Sequence, residues 1–547
     1  MVTLHETQVD GVRCFWVETG RPTLTSLLVF RHGMADEPLN ESGWQHLLEH
    51  LALHGTGGGA LHTNGSVTTL ETMFDSHGPA EAVKTHLARL TSRLTEPDEA
   101  ELVRERDVLR AEADVRGSSV VGRALGWRYG AAGPGVVVGD DVALGRASAE
   151  SLRDRAQRAF GRRNAVLMLD GPPPTGLTLS LPDGDLRPPS PAVPCPQPTP
   201  AAYVEHSGLV ISGVVTRATA MSLGADVLRR AIEDRFRLQA GTAYAPWVTY
   251  ERVDAERAVL LTGSDIRPAG RASLVADAID VMHLLDDRGP DPAKLDEVKA
   301  SYLQTIRDPY ATFGLAVRAG GQVLQGRDPL SFDDMVAEVE SLDVATVHAG
   351  IGEMRRTMLL GVPPDAPVGT QLPQLEHETT TPRPGGRRFR HVNWPAVREV
   401  LGVTEHTTEI RGPWGARAVT HSNLAGVIAT EDGFRHLIRG DGYGISVDPD
   451  AWRGGAKAVA RIDALVDPSL LLPHPARTEA RFAAAGFAAR WWAAGKLWML
   501  AAVLLGVIVT AAIAFIPDIE RARPPLLLLG LTVLVISFIA DKKAPDE

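Results

Sequence analysis

The stretch Glu41-Ser-Gly-Trp-Gln-His46-Leu-Leu-Glu49-His50-Leu-Ala-Leu-His-Gly55-Thr56 decides how the rest of the chain is read. Its leucines fall at helical spacing. On a helix His46 and His50 stand four residues apart with Glu49 three from His46, so two imidazoles and a carboxylate leave one face within a turn. Two neutral imidazoles bind Zn²⁺ well and leave it cationic enough to acidify a bound water. A nearby carboxylate that is not a ligand can take the proton. The bland alternative is a polar helix face carrying two solvated histidines.

The order H-x-x-E-H is the inverted form of the zinc-peptidase signature, and a catalytic zinc needs a third protein ligand from elsewhere. Glu101-Leu-Val-Arg-Glu105-Arg-Asp-Val-Leu-Arg-Ala-Glu112 is the best source. Glu105 and Glu112 are two helical turns apart and share a face. A solvated charged helix is the ordinary fate of such a run.

Together the two stretches resemble the pitrilysin, or M16, family of metallopeptidases, which includes the mitochondrial processing peptidase. The family pairs a G-x-x-H-L-L-E-H-x-x-x-x-G-T helix with an E-R-x-V-x-x-x-E helix. Here these are Gly43 to Thr56 and Glu105 to Glu112. The resemblance implies a zinc endopeptidase with His46, His50 and Glu112 as ligands, Glu49 as base, and Glu105 orienting the site from behind. Gly33 and Glu37 match the glycine and glutamate that precede the family's zinc helix. Asn64 is the counterpart of an asparagine before the family's substrate-binding edge strand, although Gly65 stands where alanine is usual. Arg237-Leu-Gln-Ala-Gly-Thr-Ala-Tyr244 is similar to the family's R-E-x-x-G-L-A-Y, implying that Arg237 and Tyr244 hold substrate and steady the oxyanion. An arginine and a phenol both donate hydrogen bonds, as that task requires.

The 547 residues leave room for several domains, and the 44% hydrophobic content supports sizeable cores. A net charge of −11 with no basic stripe excludes nucleic acid as a partner class. Cys14 and Cys195 are too few for a disulfide framework and fit a reducing compartment. The N-terminus shows no secretion signal. His54, His62 and His77 lack the spacing of the expected zinc site and are set aside as ligands.

The expected fold class is α+β. Two related α/β halves, residues 1–170 and 202–362, form one M16-type repeat and are separated by a Pro-rich linker at 171–201. A Pro- and Thr-rich linker at 363–391 leads to a small β-rich module at 392–470, which resembles PH-like modules found beside bacterial membrane segments. The 471–547 segment carries two apolar stretches, 497–517 and 524–540, long enough for a transmembrane hairpin. Arg477, Arg481, Arg490, Lys496, Lys542 and Lys543 flank it, and the positive-inside rule places both flanks, and the zinc domain, on the cytoplasmic side of the cell membrane. Family members enclose substrate between two repeats, so one repeat implies a homodimer or a heterodimer with a related subunit. The expected function is hydrolysis of peptides or unfolded segments at the membrane; a non-cleaving, membrane-bound scaffold is the alternative.

Overall fold

The structure, a computed structural model, describes residues 3–117, 119–139, 141–308, 311–369, 371–375, 386–413 and 415–477. The two apolar stretches expected to form a membrane hairpin lie outside them. Among the described residues no helix is long and apolar enough to cross a membrane.

The first half contains β1 (Leu4–Val9), β2 (Val12–Val17), β3 (Leu24–Phe30), α1 (Trp44–Leu53), β4 (His62–Val67) and β5 (Thr72–Gly78). It continues with α2 (Ala80–Thr95), α3 (Leu102–Arg116), α4 (Val120–Tyr129), α5 (Ala149–Ala159) and β6 (Ala165–Leu169). Its sheet has the order β1-β2-β6-β3-β5-β4, so β4 is an edge strand. The largely apolar composition of β3 and β6 suits strands covered on both faces. Leu24, Leu28, Phe30 and Leu167 point into a core shared with α1, α2 and α5.

The second half contains β7 (Ala201–Val204), β8 (Leu209–Thr216), α6 (Thr219–Ile232), β9 (Trp247–Arg252) and β10 (Arg257–Ser264). Helices α7 (Leu274–Arg288), α8 (Pro292–Arg307), α9 (Phe313–Val323), α10 (Phe332–Ser341) and α11 (Val344–Arg356) precede β11 (Leu359–Val362). Its sheet order is β7-β11-β8-β10-β9. This repeats the first sheet from β2 onward: a parallel pair (β2 with β6, β7 with β11), then antiparallel neighbours out to an edge strand. In this correspondence α6 occupies the place of α1, and β9 the place of β4.

The halves are interlocked rather than merely adjacent. Leu315, Ala316, Ala319 and Val323 of α9 cover Phe15, Val29, Val166 and Met168 on the back of the first sheet. Ala124, Leu125 and Tyr129 of α4 cover Val210, Val259 and Leu261 of the second. Each half thus lends a helix to the other.

Residues 171–200 form no helix or strand, as the prolines dictate, but they are not a free spacer. Leu177, Leu179 and Leu181 are buried in the first core, and Arg162 and Arg163 donate their backbone N–H groups to Pro182 and Gly184. The segment is a strap held down by leucines at every second position.

The third unit begins earlier than its composition suggests. Its strands are β12 (Arg387–Arg390), β13 (Val400–Val403), β14 (Thr407–Gly412), β15 (Gly415–Thr420), β16 (Leu424–Thr430), β17 (Arg435–Arg439), β18 (Gly444–Val447) and β19 (Leu471–His474), with α12 (Gly455–Leu465) before the last. They form two four-stranded sheets, β12-β13-β14-β15 and β18-β17-β16-β19, around a core of their own. β12 lies inside the stretch expected to be linker, and β19 within the segment assigned to the tail. The segment around β19 also rests on the first half. His474 Nε2 bonds the Val142 carbonyl at 2.8 Å, and Arg146 donates to the carbonyls of Pro468 and Leu471 at 3.2 and 3.1 Å.

Candidate metal centre

Helix α1 buries Trp44, Leu47, Leu48, Leu51 and Ala52 and turns His46 and His50 to its other side. Its start is set by two residues. Gly43, the N-cap, has φ +89, and a Cβ there would lie 2.6 Å from the Asp141 Cα, so both conformation and proximity call for glycine. Glu37, only 3% exposed, accepts the backbone N–H groups of Gly43 at 3.0 Å and Gln45 at 2.7 Å, occupying the positive end of the helix. Burial pushes its carboxyl up to about 7 despite Arg155 at 3.4 Å.

The expected ligands converge. One donor atom from each of His46, His50 and Glu112 lies within 4.8 Å of the other two, and His50 Nε2 is 3.6 Å from Glu112 Oε2. Both Nδ1 atoms face carboxylates. His46 Nδ1 is 3.3 Å from each oxygen of Asp141, and His50 Nδ1 is 3.3 Å from Glu105 Oε2. A carboxylate on Nδ1 selects the tautomer with its proton there and leaves the Nε2 lone pair for a metal. Arg116 holds the other Glu112 oxygen at 2.7 Å. Two imidazoles and a carboxylate, oriented from behind by two further carboxylates, form a donor set that suits Zn²⁺.

Glu49 lies between the histidines, its Oε2 3.9 Å from His46 Nε2 and 3.8 Å from His50 Nε2. It is 4% exposed, and burial pushes its carboxyl up to about 7, with Glu112 and Glu105 acting in the same direction and His46 opposing. The carboxylate packs on Gly65 of β4, where an added Cβ would sit 2.1 Å from Glu49 Oε1. Asn64 is exposed on the same edge strand and pairs in register with Asp75.

Arg237 and Tyr244 lie on the second half. Arg237 sits in a π-helical extension of α6, Glu233–Gln239, bonds Glu233 at 2.9 Å, and has its guanidinium 5.9 Å from the Tyr244 ring centre. Tyr244 is 71% exposed. The structure brings these two together with each other, Arg237 on the extension of the helix that corresponds to α1 and Tyr244 in the loop before β9.

Three participants were not read from the sequence. Asp141 is 95 residues from His46 and joins it only through the fold. Glu37 was noted as a position but not as the cap of α1. His54, set aside as a ligand, bonds Glu105 at 2.8 Å and lies 3.5 Å from Glu101. A repeat of His at four-residue intervals, facing Glu at 101 and 105, was the available signal.

No protein-family profile and no curated protein matches the sequence. Solved structures do. The chain is similar to pitrilysin, at 16% identity and a TM-score of 0.55, over 72% of this chain and 52% of that one. It is also similar to the inactive domain of an M16 peptidase from Pseudomonas fluorescens, at 15% identity and a TM-score of 0.54, over 68% of this chain and all of that one. A protease from Helicobacter pylori matches at 14% identity and 0.53, over 66% and 100%. The likeness is one of fold, the M16 peptidase fold, and this chain spans about half the length of pitrilysin.

Proposed function

We propose that the chain is a zinc-dependent endopeptidase that cleaves peptides or unfolded segments and is tethered to the cytoplasmic face of a membrane by residues 497–517 and 524–540. The observation that carries this reading is the convergence of His46, His50 and Glu112 with Glu49 buried beside them. His46, His50 and Glu112 would hold Zn²⁺, which when bound supplies a Lewis acid that activates water and polarises the scissile carbonyl. Glu49 takes the proton of the attacking water and returns it to the leaving amide nitrogen. A carboxyl raised toward 7 suits both transfers at neutral pH.

Edge strand β4 offers a row of backbone donors and acceptors beside α1, so an extended substrate is held by strand addition. Gly65 leaves Glu49 room against that strand, and Asn64 lies where a substrate backbone would pass. Arg237 and Tyr244 would donate hydrogen bonds to the oxyanion, in their own chain's site or across a dimer of this chain or with a related subunit. The exposure of Tyr244 fits a role that a second repeat completes.

The test is direct. The purified chain should carry about one zinc, lost in Glu112→Ala. Glu49→Gln should keep the zinc and abolish cleavage of unfolded peptides; unchanged cleavage rules out the assigned base. Likeness to an inactive M16 domain supports a second reading, a membrane-bound scaffold that does not cleave. Absence of zinc from the wild-type chain would favour it.

A further inference from the structure

Helix α1 carries a third histidine one turn beyond the proposed zinc ligands. Helix α3 carries glutamates at 101, 105 and 112, and the two helices pack so that these side chains interleave. Glu112 meets His50 at 3.6 Å, Glu105 meets His50 at 3.3 Å and His54 at 2.8 Å, and Glu101 meets His54 Nε2 at 3.5 Å. One donor atom from each of His54, Glu101 and Glu105 lies within 4.8 Å of the other two. This trio shares no residue with His46, His50 and Glu112.

The two groups communicate through one carboxylate. Glu105 is 6% exposed and turns Oε2 to His50 Nδ1 and Oε1 to His54 Nδ1. The surroundings are strongly acidic. Glu49, Glu101, Glu105, Glu112 and Asp141 gather around α1 and α3, against Arg104 at 3.5 Å from Glu101, Arg116 at 2.7 Å from Glu112 and Arg93, which donates to the His54 carbonyl.

Resting on the zinc reading above, we infer that His54, Glu101 and Glu105 form a second divalent-cation site, weaker than the first, whose occupation inhibits the enzyme. One imidazole and two carboxylates suit a borderline cation such as Zn²⁺. Binding is weaker because the ion displaces the Arg104 contact and the hydrogen bond between His54 and Glu105. Drawing the ligands in to bonding distances of about 2 Å pulls Glu105 from His50. Loss of such an orienting partner lowers metal affinity or activity about 10- to 100-fold.

Cobalt(II) is the probe. The full-length chain, extracted from membranes and stripped with a chelator, is titrated with Co²⁺ and followed by its visible absorption, with bound metal counted by elemental analysis. The wild-type chain should take up about two equivalents in separable steps. His54→Gln and Glu101→Gln should each lose the weaker step and keep the tighter one, whose retention also shows that the variants fold. Zinc above one equivalent should lower wild-type turnover about tenfold and leave that of His54→Gln unchanged. A single equivalent in the wild type, or two in His54→Gln, overturns the second site. An unchanged first step in Glu112→Ala would instead overturn the ligand assignment of the first.

Discussion

Replacing Asp141 by asparagine tests whether the site is held as well as composed. Asp141 places both carboxylate oxygens 3.3 Å from His46 Nδ1, and its side chain is 2% exposed. Its φ is +63, a conformation that asparagine adopts nearly as readily as aspartate. The substitution therefore removes charge while keeping shape and backbone. A hydrogen bond to a charged partner contributes about 1.5–3 kcal/mol and a neutral one about 0.5–1.5, a difference of about 1–1.5 kcal/mol. That converts to about tenfold in zinc affinity, at the lower end of the 10- to 100-fold typical for residues that orient metal-bound histidines. Asp141→Ala should cost more, because alanine also resists the positive φ. The assay is competition for Zn²⁺ with a chromophoric chelator, with thermal melts as the control for folding. Wild-type affinity in the Asn variant, at unchanged melting temperature, would refute the idea that this carboxylate orients His46.

Gly65→Ala should lower turnover about 10- to 100-fold with zinc retained, because its Cβ, 2.1 Å from Glu49 Oε1, forces the base aside by about an ångström; equal turnover would show that Glu49 is not pinned against β4. His86, 4% exposed with neither ring nitrogen hydrogen-bonded among the described residues, has its pKa lowered from 6.5 to about 4, first by burial and then by Arg89. The unfolded chain therefore takes up a proton that the folded chain refuses, and stability falls as pH drops below 6.5. The loss attributable to this group is about 2 kcal/mol at pH 5, levelling at about 3 below pH 4. Urea unfolding at neutral pH and at pH 5 should show His86→Leu relieved of that part of the acid sensitivity. Leu125→Ala should destabilise the chain by about 3 kcal/mol, and amide exchange should speed up in β8 and β10 of the second sheet before any strand of the first. Uniform loss of protection would argue against the helix exchange between the halves.

The convergence of His46, His50 and Glu112 was legible because each part of it is local. His46, His50 and Glu49 sit on one ten-residue helix, and Glu112 lies on another helix whose spacing repeats over two turns. Periodicity of that kind survives in the sequence without knowledge of the fold. Asp141 was not legible because nothing in its own surroundings announces a histidine 95 residues away. The exchange of α4 and α9 between sheets was hidden for a related reason. Their apolar faces state that they are covered, not what covers them. The proline-rich segment at 171–201 is read from its backbone chemistry alone, which is silent about the leucines that anchor it and about Ala201, which begins β7. Glycine at 65 departs from the family pattern, and its contact with Glu49 comes only with the fold.

The last described strand, β19, carries a mechanical consequence. Its neighbours on the first half are the Val142 carbonyl and Arg146, within a few residues of Asp141, and a Cβ on Gly145 would sit 2.1 Å from the Pro473 carbonyl oxygen. Force applied to the chain beyond Arg477 meets its ion pairs with Asp432 and Asp448, then β19, and then the loop that grips His46. The strand works as a strut whose far end is the imidazole ring. A protein cut after Val362 keeps His46, His50, Glu49 and Glu112 and still loses the strut, so slackened metal affinity in that fragment would measure a missing brace and not a missing ligand.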